Sequence, residues 1–356
     1  MTLSVVPMPT LMIVPTGIGC QVGGFAGDAL PSARLLAAAS GCLITHPNVI
    51  NGASLYWRDS RIHYVEGYGL DRFASSAWGL RPRRNQRIGL LLDAGIESDL
   101  RIRHRQVAEG CRASLGLDIN AVVTTDAPLG VHLCAAGSGT SWGTLDRPDA
   151  LLRAGERLKA AGSTAIAVVA RFPDEFTSEA LTAYRHGRGV DGLAGAEAVI
   201  SHLLVRHLQI PCAHAPALAP LPLDADLDPR AAGEELGHTF LACVLVGLSR
   251  APDLLDLSAG SASMPGDLVA DQLGALVVPD GALGGEAVFA CLERNVPVIA
   301  VLNPGVLSVS AEALGVGHQV LKAASYVEAA GLLVALREGI AIPSLGRPFP
   351  ALRELN

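Results

Sequence analysis

The stretch His46-Pro47-Asn48-Val49-Ile50-Asn51-Gly52 sets one imidazole and two carboxamides on a short loop. Imidazole titrates near neutral pH and suits proton transfer, while amides orient polar substrates or cap turns. Downstream, Val65-Glu66-Gly67-Tyr68-Gly69-Leu70-Asp71-Arg72 offers Glu66 as a general base. Asp71 is expected to pair with Arg72 or to cap a helix. Glu197 and Ser201, then His202 and Arg206, stand four apart on one apolar helix. Residues four apart share a helix face, so one polar face is expected at a pocket and one at solvent. Cys212-Ala213-His214 closes the next apolar run; the cysteine reads as a small core residue and His214 as a second proton-transfer group. His46 or His214, working with Glu66 or Glu197, would supply acid–base catalysis. Arg171 and Arg250 each follow an apolar run and precede a proline within two residues. A planar guanidinium holds carboxylate or phosphate with two parallel bonds, so both are expected as substrate anchors, the alternative being ion pairs with Asp174 and Asp253.

Small-residue loops add binding groups. Thr16-Gly17-Ile18-Gly19-Cys20-Gln21-Val22-Gly23-Gly24 approximates G-x-G-x-x-G with its last glycine one place late and no helix directly behind it. A dinucleotide is therefore not expected, but Thr16, Gly17 and Gly19 suit an anion held by backbone N–H groups. Gly139-Thr140-Ser141-Trp142-Gly143 matches G-x-S-x-G. The nucleophile elbow needs a strand immediately before and a helix immediately after, and neither is well placed. Ser138 and Ser141 are expected to bind an oxyanion, with a serine hydrolase using Ser141 as a further alternative. Asp126 and Asn303 close two other apolar runs and complete the binding set. His46, His202 and His214 lack the spacing of a metal site, and no metal or cofactor is assigned.

Short apolar runs must position these groups. Leu11–Pro15, Cys42–Thr45, Ile88–Leu92, Ala121–Thr125, Thr164–Ala170, Ala275–Pro279 and Val298–Leu302 each end on a polar residue and lead to an Ala/Leu-rich helix. Continuous apolar runs alternating with helical periodicity predict βα units and mainly parallel sheets, an α/β fold. Ligands of such sheets bind outside the strands' carboxyl ends, where these polar residues stand. Val107, Cys111 and Leu115 mark one helix face, and Leu151, Ala154, Gly155 and Leu158 another behind Asp149. Asp28 is expected to cap a helix over Leu30–Ala39. Small, proline-rich or flexible stretches suggest three α/β units over 1–145, 146–262 and 263–356, the last with a surface tail. Three segments look alike: a small-residue loop with an acid at Asp28, Glu197 or Glu286, a helix, then a strand ending at His46, His214 or Asn303. Any αβ unit shares that pattern, so a true repeat stays open.

The totals narrow the class. Of 356 residues 50% are apolar and 17% charged, and mean hydropathy is +0.37. Phe240–Leu248 is the most lipid-like run and falls far short of the roughly 20 residues that cross a bilayer. No Lys or Arg precedes Arg34, so the start does not resemble a secretory signal. Seven scattered cysteines without a C-x-x-C pair fit reduced thiols. The net charge of −7 argues against nucleic acid, and the clusters around Arg81–Arg87 and Arg101–Arg105 read as solvated faces. These features point to a cytoplasmic, small-molecule protein with no membrane partner; a homo-oligomer is left open.

The segments PTGIGCQVGGFAGDA, THPNVINGASLYW, YVEGYGLDRF, TDAPLGV, VVARFPD, GAEAVISHLLVR, IPCAHAPAL and CVLVGLSRAP resemble a family catalogued as domain of unknown function 3326, found largely in cyanobacteria and related plastid lineages. The resemblance runs from about Leu11 to Leu314. It implies a soluble protein of a photosynthetic-type cytoplasm and brings no functional residue with it. The residues themselves point to acid–base chemistry of hydrolase, lyase or isomerase type on a small anionic metabolite, the rival being a non-catalytic ligand sensor.

Overall fold

The computed structural model describes residues 6–51, 58–174, 179–235, 240–349, 351–352 and 354. Gly52, the last residue of the His46 loop motif, lies outside them. In chain order the strands are β1 (Met8–Met12), β2 (Gly41–Thr45), β3 (Ile62–Tyr64), β4 (Trp78–Arg81), β5 (Ile88–Leu92), β6 (Ile119–Thr124), β7 (Val131–Ala135), β8 (Ser141–Leu145), β9 (Ala165–Arg171), β10 (Cys212–Ala217), β11 (Asp253–Asp256), β12 (Ala275–Pro279), β13 (Val298–Val301) and β14 (Val320–Ala323). Six of them form one parallel sheet in the order β14-β13-β12-β1-β2-β3. Four form a second parallel sheet, β10-β9-β5-β6. Two antiparallel pairs, β11-β4 and β7-β8, complete the described strands. The fold is α/β with parallel sheets and helices between strands.

The composition explains this choice. β5, β12 and β13 are buried at every position, because helices cover both faces of each sheet. Such strands lose the in–out alternation of a half-exposed sheet and read as unbroken apolar runs. Each large aliphatic side chain buried this way contributes about 2 kcal/mol of hydrophobic stabilisation. The larger sheet winds outward in two directions from β1 and β12, toward β3 on one side and β14 on the other. All strands of the smaller sheet lie in sequence between β3 and β12. Residues 1–145 and 263–356 thus supply the first sheet, and residues 1–145 and 146–262 the second.

The three look-alike segments each hold a helix and a strand, two in the larger sheet and one in the smaller. Their details differ. Asp28 does not cap the helix Leu30–Ser40; that position is Ala29, and Asp28 instead accepts the N–H of Gly23 at 2.6 Å. His214 sits inside β10, not at its end.

Register decides what meets at the rim. Met12 pairs with Thr45 and Thr45 with Tyr64, so β1, β2 and β3 end level, with His46 and Glu66 just beyond. The helix Gly67–Ala74 follows Glu66. It packs on the helix Glu286–Glu293 of the larger sheet and on the helix Ala194–Leu208 of the smaller one, and so joins the two.

Candidate functional site

A cavity of about 690 Å³ opens where the carboxyl ends of β1, β2 and β3 face β10 and the helix Ala194–Leu208. Thr16, His46, Asn48, Asn51, Glu66, Glu197 and His214 all line it, so residues from both sheets meet there. Ser201, His202, Asp71, Asp191, Glu234 and Tyr184 line it as well.

A chain of polar contacts crosses the wall. Glu197 Oε2 lies 3.5 Å from His214 Nε2. His214 Nδ1 is 3.0 Å from Ser201 Oγ, and Ser201 Oγ is 3.4 Å from Glu66 Oε1. Glu66 Oε1 in turn forms an ion pair with His202 Nδ1. Five side chains from three elements are thereby linked without a gap. Glu66 is fixed because it also caps the helix Gly67–Ala74, accepting the N–H of Tyr68 at 2.8 Å. His202 lies against Gly67: a Cβ there would stand 2.9 Å from its Cε1. Burial draws the His202 pKa down, but the hydrogen bond and charge of Glu66 outweigh it, and the ring titrates above its ordinary value.

His46 behaves differently from the proton shuttle its type suggests. Its Nε2 accepts the N–H of Val14 at 3.1 Å, so that nitrogen is unprotonated and the ring carries its proton on Nδ1. Burial, with the nearby His202 charge, pushes its pKa down to about 4. His46 is therefore a neutral ring that holds the loop after β1, not an acid–base group near pH 7. Asn48 has a similar job, donating to the carbonyls of Val14 and Gly23 at 3.0 and 2.8 Å. Asn51 accepts from the Tyr64 hydroxyl at 3.1 Å.

The opposite wall is acidic. Asp191 accepts the N–H of Leu193 at 2.8 Å; burial first, then the charge of Glu197, pushes its pKa up to about 7. Glu234 accepts the N–H of Ala26 at 2.6 Å and the hydroxyl of Tyr184 at 2.9 Å. Burial and then Asp191 hold its carboxyl well above the usual range. Asp71 accepts the N–H of Ala287 at 3.1 Å, and burial raises it to about 6.

The other expected binding residues lie elsewhere. Arg171 is consumed by ion pairs with Glu97 and Asp174 and does not line the cavity; the pairing with Asp174 was the stated alternative. Its strand end lies beside Ala217 of β10, where the chain supplies its own carboxylates. Arg250 is exposed beyond the helix Leu241–Leu248, and Asp253 pairs with Arg83 instead. Asp126 is exposed and held by Arg153. Ser138 is exposed and bonded to Thr140 at 3.0 Å. Ser141 starts β8 of an antiparallel hairpin, and its hydroxyl accepts the N–H of Gly195 at 3.2 Å. The strand-to-helix elbow that a nucleophile in G-x-S-x-G requires is absent, which removes Ser141 as a hydrolase serine.

Gly17 and Gly19 turn the loop after β1 with positive φ. The loop is used internally: Gly17 O accepts from Ser141 N, and Val306 N donates to Ile18 O. Asn303 is buried; its amide binds both the N–H and the carbonyl of Val22 and the hydroxyl of Tyr326. The crevice between β1 and β12, where the strand order reverses, is thus filled by the chain's own loops.

Ser201 was visible in its spacing with Glu197, and His202 in its spacing with Arg206. Asp191 and Glu234 carried no signal, since each stands in an ordinary polar, glycine-containing segment. Among the described residues no three His, Cys, Asp or Glu side chains are grouped to hold a metal ion.

Fold and cavity define a doubly wound α/β protein with a cavity wall of carboxylates and imidazoles. The chain belongs to the family described as "Protein of unknown function (DUF3326)", whose model matches residues 9–346. It is 55% identical over 350 residues to a protein of Synechococcus sp. named an uncharacterized lipoprotein, covering 98% of this chain and 96% of that one. That name overturns the placement in the cytoplasm drawn from composition and cysteine use. Composition reports on the folded domain, and a covalently attached lipid leaves no mark on it. No helix among the described residues is long and apolar enough to cross a membrane.

Proposed function

We propose that this protein is an enzyme of isomerase or lyase type that moves protons on a small molecule held in the cavity. The observation that carries the reading is the unbroken contact chain Glu197–His214–Ser201–Glu66–His202 along its wall. In the starting arrangement His214 bears its proton on Nδ1 and donates to Ser201, whose hydroxyl donates to Glu66. Glu197 takes a proton from the substrate and passes it to His214 Nε2. His214 releases its Nδ1 proton to Ser201, Ser201 passes its own to Glu66, and His202 returns one to the substrate. Glu197, His214 and Ser201 each gain one proton and give one up. Within the Glu66–His202 ion pair Glu66 gains one and His202 gives one, so the pair as a unit is balanced and one proton moves from the Glu197 end to the His202 end. Positioned general acid–base groups of this kind contribute about 10²- to 10⁴-fold in rate. Ser201 serves as a relay and not as a nucleophile: it is 1% exposed inside a helix whose own N–H groups are engaged, leaving no oxyanion site beside it.

The test is solvent-deuterium uptake. The full chain is incubated in D₂O with pooled small polar metabolites, and product masses are read. Uptake into a substrate that slows by about 10²-fold or more in folded His214→Asn and Glu197→Gln supports the reading. Equal uptake by the natural protein and both variants sinks it.

A further inference from the structure

The charge inventory of the cavity assigns its ligand a class. Among the described lining residues the only basic side chains are Arg185, His46, His202 and His214. Arg185 is bound to Glu235 at 2.9 Å and to the carbonyl of Pro222 at 2.7 Å, with Asp224 at 3.6 Å. His46 is held neutral by Val14, His202 faces Glu66, and His214 faces Glu197 and Ser201. An anion entering this space meets no uncommitted cation. Asp191 and Glu234 are in the reverse position: their partners are backbone N–H groups and the Tyr184 hydroxyl, with no basic side chain bonded to either among the described residues. Glu197 adds a third carboxylate, shared with His214 over 3.5 Å.

We propose that the substrate carries a protonated or quaternary amine, which docks between Asp191 and Glu234 while its reacting portion lies against Glu197 and His214. This rests on the reading of the cavity as a substrate site and replaces the anionic metabolite expected from Arg171 and the glycine loops. Burial of a carboxylate without a counter-ion is costly, and the group keeps its proton instead. Asp191, facing Glu197, Glu234 and His214, is pushed up to about 7, and Glu234 is raised beside Asp191, Glu197 and Tyr184. An amine replaces those protons. Its binding therefore tightens as pH rises through about 7 and releases protons to the buffer.

Four-carbon probes of matched length separate the classes: putrescine, butanediol and succinate, with choline as a quaternary amine and magnesium chloride alone as a metal control. Thermal shift and titration calorimetry are run on the full chain at about pH 6 and about pH 8. The expected result is that putrescine or choline raises Tm, more at the higher pH, and releases protons measurable by comparing buffers of different ionisation enthalpy. Folded Asp191→Asn and Glu234→Gln should weaken that binding at least tenfold. The proton-release measurement uses the natural protein alone and stands even if a variant fails to fold. Stabilisation by succinate or magnesium equal to that by the amines, or no binding by either amine, overturns the proposal. Amine binding without deuterium exchange would sink the proton-transfer reading and leave this one; His214-dependent exchange on a carboxylate substrate would do the reverse.

Discussion

Two rims of parallel sheet in this molecule carry the same kinds of side chain and meet opposite fates. At the ends of β5, β6 and β9, Asp93, Asp126 and Arg171 are spent on the protein itself. Asp93, 1% exposed, accepts the N–H groups of Gly95, Leu129 and Arg171 at 2.9, 3.0 and 3.0 Å. Arg171 is neutralised by Asp174 three residues on and by Glu97 across the pairing of β5 with β9, and Asp126 by Arg153 on the following helix Pro148–Ala160. At the ends of β2 and β3 the groups opposite come from the other sheet, and the space between stays open. Polar residues at strand ends thus mark a site only where the facing wall belongs to a different layer. Where groups of the same layer reach them, they become fasteners.

Breaking the closed rim should give the largest effect. Asp93→Ala leaves three buried N–H groups without an acceptor and should cost on the order of 3 kcal/mol in urea unfolding; a loss under about 1 kcal/mol would show that the loop finds other acceptors. Next, Asp191→Asn should change the pH dependence of stability. Its raised pKa means the folded state keeps a proton the unfolded chain loses, so this contribution is full below about pH 4 and disappears as pH rises through about 7. The variant should flatten that decline, by a few kcal/mol at most, in melts taken across the range. His46 acts with the other sign: its lowered pKa means stability is lost as pH falls from about 6.5 toward 4. Third, Gly67→Ala puts a methyl against His202 and should cost about 1 kcal/mol while slowing deuterium exchange through the displaced ring. Unchanged exchange would separate His202 from the relay. Last, Asp126→Asn removes an exposed pair with Arg153 and should leave unfolding within measurement scatter.

Most of the parallel architecture was legible because doubly covered strands leave unbroken apolar runs. The strand Val131–Ala135 was legible, but β8 and the hairpin they form were not, since the exposed face breaks the hydrophobic signal and the hairpin's role, packing on the start of the helix Ala194–Leu208, is purely tertiary. Of the residues singled out for acid–base work, His46, Glu66, Glu197 and His214 all line the one cavity. Arg171 was misplaced because the nearby alternative, Asp174, does hold it, joined by Glu97, which is remote in sequence and comes close only through the pairing of β5 with β9. The neutrality of His46 was hidden too: it depends on burial and on His202 from the other sheet's helix, neither of which its own segment shows. Asp191 and Glu234 owe their character to burial against each other, which neither segment discloses.

The pairing of β1 with β12 has a consequence for synthesis. Thr10 finds its partner Ala275 only after most of the polypeptide has been made. At 5–20 residues per second, β1 waits roughly ten seconds to a minute with one edge open. The smaller sheet, whose strands all emerge in between, is free to collapse first. An apolar strand left unpaired that long invites pairing with another nascent chain. Ribosome-bound intermediates halted before Ala275 should therefore be the species that a holding chaperone retains.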